Sequence, residues 1–139
     1  MTTDARALIE DGDTALGIEF GSTRIKAVLI GPDHQVLASG SHGWESHLDD
    51  GLWSYSLDEV RAGLRSAYAS LVDDVRDEYG LTPTTYGSIG VSGMMHGYLA
   101  FNAEGRQLAQ FRTWRNTNTA EAAAELSELF GVNIPLRWS

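Results

Sequence analysis

The segment Glu19-Phe20-Gly21-Ser22-Thr23-Arg24-Ile25-Lys26 sets a carboxylate, a glycine, two hydroxyls and an amine close together. Glycine lets a backbone come close to an anion, while the hydroxyls of Ser22 and Thr23 and successive amides can donate to phosphate oxygens. Lys26 adds positive charge. A carboxylate beside a phosphate repels it unless a hydrated magnesium ion stands between them, which gives Glu19 a metal-side role. A hairpin with a polar turn and a surface Glu and Lys accounts for the same residues, and the segment alone favours that plainer reading. It is not a Walker A loop, because the GxxxxGK[ST] spacing is absent, and no GxGxxG run marks a dinucleotide site.

Two further stretches carry usable chemistry, Met94-Met95-His96-Gly97 and Trp114-Arg115-Asn116. A sugar hydroxyl needs donors and acceptors such as His96 and Asn116, and an indole such as Trp114 can cover an apolar sugar face. Taken alone, Met94, Met95 and Trp114 read as core and His96 as a hydrogen-bonded structural histidine. His42, Glu45, His47, Asp49 and Asp50 could form a metal cluster by type, but their irregular spacing fixes no ligand geometry, and they read as a solvated loop.

These residues must be positioned by elements that the pattern exposes. Residues 1–14 are polar and acidic; they read equally as a turn or two of helix around residues 4–10 or as a mobile terminus. ALGIEF and RIKAVLI, broken by Gly21-Ser22-Thr23, read as two strands, and Val36 begins a third after the Gly31-Pro32-Asp33 turn, which makes an antiparallel meander. Residues 40–55 read as a loop. Ser56 with Glu59 forms a capping box, followed by a helical stripe (Leu57, Val60, Leu64, Tyr68, Leu71, Val72, Val75, Tyr79) that Gly80 stops; this helix is expected to pack on the sheet. Asp73, Asp74, Asp77 and Glu78 form its wet face. Ile89 and Val91 lie in a small-residue strand suited to close backbone approach, and residues 98–111 read as a hairpin. A short helix capped by Asn118 or Thr119 carries Ala122, Leu126, Leu129 and Phe130 on one face and ends at Gly131.

Composition narrows the classes. The 139 residues, 42% hydrophobic and 21% charged, suit one soluble α/β domain or part of one. A net charge of -9 argues against a nucleic-acid partner. No apolar run approaches the roughly 20 residues needed to span a bilayer, and the amino terminus lacks a secretory signal pattern. The absence of cysteine suits the cytoplasm.

With their order and elements in view, three motifs resemble the amino-terminal region of FGGY carbohydrate kinases, in particular the xylulokinase-like branch. Glu19-Phe20-Gly21-Ser22-Thr23-Arg24-Ile25-Lys26 resembles Asp-x-Gly-Thr-x-x-x-Lys; Ser92-Gly93-Met94-Met95-His96-Gly97 resembles Ser-Gly-Gln-Met-His-Gly; and Trp114-Arg115-Asn116 resembles Trp-x-Asp. The departures are Glu19 for Asp, Met94 for Gln and Asn116 for Asp. The resemblance implies an incomplete ribonuclease-H-like (actin-like ATPase) α/β domain, a mixed sheet with flanking helices, over residues 15–139. It implies transfer of the γ-phosphoryl group of ATP, with Mg²⁺, to a hydroxyl of a free sugar, a ketopentose such as xylulose. Gly21, Ser22, Thr23 and Lys26 would face the nucleotide phosphates and Glu19 the metal, through water. Met95, His96, Trp114 and Asn116 would bind the sugar. The general base, an Asp, is expected beyond residue 139, so this chain alone is expected to be inactive. Leu136 and Trp138 are read as surface that the remainder of the kinase chain covers and that otherwise drives self-association. The rival is a non-enzymatic or regulatory actin-like module, which would need the first motif but not the other two.

Overall fold

The computed structural model describes residues 4–131. Asp4 caps a first helix, α1 (Ala5–Asp11), by accepting from the Arg6 amide, and Gly12 closes it in the left-handed conformation. Of the two readings of the amino terminus, the helix is therefore the one observed here, with Ile9 buried and Arg6 donating to the Tyr79 carbonyl at 3.0 Å. Strands β1 (Ala15–Phe20), β2 (Arg24–Ile30) and β3 (Val36–Gly43) form the expected antiparallel meander. A hairpin of β4 (His47–Asp49) and β5 (Leu52–Ser54) precedes the long helix α2 (Leu57–Tyr79). Strand β6 (Ser88–Ser92) returns parallel to β1, giving a mixed sheet of order β3-β2-β1-β6, and α3 (Ala120–Phe130) follows.

Alternation in β1 and β2 sorts the two faces. Leu16, Ile18, Ile25, Ala27 and Leu29 are buried, while Gly17, Glu19 and Lys26 lie on the other side. Helix α2 covers the buried face. Its start carries the full capping box, Ser56 and Glu59 bonding each other's backbones, and Gly80 ends it. The stripe that faces the sheet is Gly63, Ala67, Leu71 and Val75, smaller at its start than the large apolar residues alone predict. The reason is close approach: a Cβ at Gly40 in β3 would collide with the Ala67 carbonyl and the Leu71 amide, so strand and helix meet backbone to backbone.

Residues 40–55 are not one loop. β3 runs on to Gly43, and Asp50 and Gly51 both adopt positive φ (48° and 75°), the conformation that a tight two-residue hairpin turn requires. Among the described residues no group of three or more His, Asp or Glu is arranged to hold a metal. Residues 98–111 pair only at isolated antiparallel bridges, Tyr98 with Arg112 and Phe101 with Gln107. A Cβ at Gly90 would meet nothing, so among the described residues β6 makes no close approach on that side. Ile89 and Val91, in register with Leu16 and Ile18, remain 62% and 70% exposed. Thr119 occupies the N-cap of α3 without a side-chain capping bond, and Leu126, Leu129 and Phe130 are exposed. Leu136 and Trp138 lie outside the described residues. No described helix is long and apolar enough to cross a membrane.

Candidate functional site

The turn between β1 and β2 is held from behind by two aromatic residues. Trp44 and Tyr55 stack with ring centroids 4.2 Å apart, and Tyr55 leans on Phe111 at 5.4 Å. Trp44 Nε1 donates to the Gly21 carbonyl at 2.8 Å, the Tyr55 hydroxyl donates to the Ser22 carbonyl, and the Trp44 amide donates to the Thr23 carbonyl at 3.1 Å. Every carbonyl of Gly21-Ser22-Thr23 is thus engaged. A planar trans peptide sets each following amide antiparallel to its carbonyl, so the Ser22 and Thr23 amides point away from the aromatic pair. No backbone acceptor among the described residues takes either amide. The turn therefore presents donors, the polarity that an anion needs. Burial pushes the Tyr55 hydroxyl pKa up, against the Ser46 hydrogen bond and the Arg115 charge, which keeps it a donor.

Glu19 and Lys26 face each other across β1 and β2 and form an ion pair, Nζ to Oε2 3.0 Å, each about half exposed. They lie on the sheet face that α2 leaves open, in a shallow cavity of about 500 Å³ shared with Val28, Val91 and Ser92. Ser22 and Thr23 open instead on a cavity of about 410 Å³, which Trp114 and Arg115 also line. The structure thus brings the first and third motifs together at one cavity.

The Trp114 wall is braced by its neighbour. Asn116 Oδ1 accepts from the Trp53 amide at 2.8 Å, and Nδ2 donates to the Trp53 carbonyl at 2.7 Å and the Thr113 carbonyl at 3.2 Å. This uses both Nδ2 hydrogens and, among the described residues, one of the two Oδ1 lone pairs. Trp114 itself is 55% exposed. In the middle motif, Met94 lines an apolar cavity of about 270 Å³ with Phe20, Trp44 and Phe111, whereas Met95 is 88% exposed and His96 is also on the surface.

Sequence reasoning missed Trp44, Tyr55 and Arg115. The guanidinium of Arg115 lies 3.4 Å from the Trp53 ring centroid and donates to Ser46 Oγ at 3.2 Å. An arginine beside Trp114 in an acidic chain was the available signal; the aromatic pair left none, because its bonds go to main-chain carbonyls.

Residues 14–134 match the amino-terminal domain of the FGGY family of carbohydrate kinases. The chain belongs to that family. Solved structures agree: a xylulose kinase from Brucella ovis is 25% identical over 85% of this chain, with a TM-score of 0.70. A glycerol kinase from Plasmodium falciparum with ADP (18%, 83%, TM-score 0.67) and a gluconate kinase from Lactobacillus acidophilus (18%, 85%, TM-score 0.56) share the fold. That fold is the actin-like ATPase fold. The chain spans only 24% of the first of these kinases and 23% of the other two. No curated protein matches it.

Proposed function

We propose that this FGGY domain forms the amino-terminal part of an ATP-dependent kinase that phosphorylates a hydroxyl of a free sugar, a ketopentose such as xylulose, in the cytoplasm. The observation that carries this reading is the convergence of the Ser22-Thr23 turn and Trp114 on one cavity. A donor-presenting turn and an indole wall are what a phosphate and a sugar face would respectively need.

In this reading the Gly21-Ser22-Thr23 turn holds nucleotide phosphate oxygens from the cavity it lines, while Lys26, beside Glu19, meets the phosphates from the open sheet face. Glu19 offers a single carboxylate, which suits a magnesium ion that keeps most of its water and shares phosphate oxygens. Bound there, the ion would neutralise charge on the phosphates. Glu19 and Lys26 hold each other in place through their ion pair until those ligands arrive. Met95, His96 and Trp114 contact the sugar, and Asn116 acts through the wall it braces, with its remaining lone pair free to accept from a hydroxyl. The chain's contribution is positioning and charge complementarity; the general base belongs to the remainder of the kinase.

The test is a coupled ADP-release assay on the complete polypeptide carrying this region, with a panel of pentoses, polyols and aldonates. Turnover that depends on a sugar and on magnesium is expected, and His96→Ala should raise the sugar KM far more than the ATP KM. Absence of sugar-dependent turnover, or equal effects on both KM values, would overturn the reading.

A further inference from the structure

We propose that Arg115 binds an oxyanion at the cavity it shares with Ser22 and Thr23. This rests on the kinase reading above and adds a residue to that site. The guanidinium is immobilised on two sides, by the Trp53 ring and by Ser46 Oγ, and the backbone of Trp53 is itself gripped by Asn116. An arginine has five N–H donors, and among the described residues one of them is bonded, to Ser46. Arg6, Lys26, Arg61 and Arg76 each have a carboxylate within 4.0 Å, whereas Arg24, Arg65, Arg106, Arg112 and Arg115 have none among the described residues; of these five, Arg115 is the one whose guanidinium is fixed by a ring and a hydroxyl. Glu45 lines the same cavity without pairing with it. A pre-oriented, uncompensated guanidinium is therefore held in a chain of net charge -9, beside two hydroxyl residues and Trp114.

The ligand that such a fork recognises is a group with two or more oxygens in one plane or face, because parallel N–H donors bind it bidentately. A phosphoryl group lying on the Ser22-Thr23 turn has that chemistry, and so does the carboxylate of an acidic sugar held against Trp114. Stacking on Trp53 and the bond to Ser46 fix the fork, and its other donors border the cavity that Ser22 and Thr23 line.

The experiment uses the complete polypeptide as wild type, Arg115→Gln and Arg115→Lys, titrated calorimetrically with inorganic phosphate, gluconate and xylulose, with a thermal melt of each protein. Arg115→Gln should weaken phosphate or gluconate about tenfold or more, the loss of a charge-assisted bidentate contact. Arg115→Lys should recover only part of the loss. A change confined to phosphate identifies the phosphoryl group as the ligand; one confined to gluconate identifies an acceptor carboxylate. Xylulose affinity should stay within about twofold, on the same scale. Unchanged affinity for both anions, or equal weakening of all three ligands, would overturn the proposal even where wild-type turnover upholds the kinase reading. Loss of turnover in the wild type would sink that reading while the anion titrations still decide this one.

Discussion

The carboxamide of Asn116 grips the main chain of Trp53 from both sides, taking its amide proton at 2.8 Å and returning one to its carbonyl at 2.7 Å. An aspartate, the residue that the FGGY pattern usually has there, could accept from the amide but would set a carboxylate oxygen against two carbonyls. Asn116→Asp should therefore destabilise the protein by about 1–3 kcal/mol, the cost of leaving partly buried polar groups unpaired. Urea unfolding measures it, and an unchanged midpoint would show that the grip is dispensable.

The paired aromatics behind the turn should act as one unit. Tyr55→Phe keeps the ring stack but abandons the Ser22 carbonyl, and Trp44→Phe abandons the Gly21 carbonyl. Each should cost about 0.5–1.5 kcal/mol. A double-mutant cycle should show coupling of about 0.5 kcal/mol or more, since both brace one turn; strict additivity would separate them.

Glu19→Gln should release Lys26 from its 3.0 Å ion pair. In the complete kinase the magnesium concentration needed for half-maximal rate should rise several-fold while sugar binding stays near wild type. A magnesium titration at saturating sugar checks this, and an unaltered curve would return Glu19 to a surface role.

Much of this architecture was readable in advance, for physical reasons that differ by element. The α2 boundaries are local, because Ser56, Glu59 and Gly80 satisfy helix ends from within a few residues. The meander follows from period-two alternation in β1 and β2. The Asp50-Gly51 hairpin was legible but overlooked, hidden by the His and Asp residues around it. Nothing local could reveal that Gly40 faces the α2 backbone, or that Trp44 and Tyr55 reach carbonyls at Gly21 and Ser22, since a carbonyl acceptor has no residue type. The three motifs named candidate residues; their separation into an open sheet face and a cavity at the turn is a tertiary fact.

Gly40→Ala should be among the most damaging small substitutions in the fold. Its methyl would meet the Ala67 carbonyl and Leu71 amide, backbone atoms that cannot rotate away. A loss of about 1–3 kcal/mol or more is expected from overpacking, seen as a lowered Tm. Gly90→Ala, where the methyl enters open space, is the control.

The tyrosines set an alkaline limit. Burial, and then the neighbouring Tyr68 hydroxyl at 2.8 Å, raise the pKa of Tyr86 well above its ordinary value of 10.0; burial first also raises those of Tyr55 and Tyr79. The unfolded chain thus loses these protons first, so the stability contributed is complete below about pH 10 and falls as pH rises beyond it. Unfolding free energy measured across that range should decline, and Tyr86→Phe should make the decline shallower. An unchanged slope in the variant would show that Tyr86 does not contribute.

Strand β6 meets β1 only after the meander, the β4–β5 hairpin and α2 have intervened, and its outer edge carries no partner strand among the described residues. Closing so long a loop costs chain entropy that the local β1–β2–β3 pairings do not incur. Assembly is thus expected to be ordered in time: the turn that would cradle phosphate can be shaped early by neighbouring strands, whereas Ser92 and the motif that follows it should be delivered later, when β6 docks. As an edge strand closed by the longest loop of its sheet, β6 is expected to open before β1 and β2, so hydrogen exchange should reach its amides while Gly21-Ser22-Thr23 is still held by Trp44 and Tyr55.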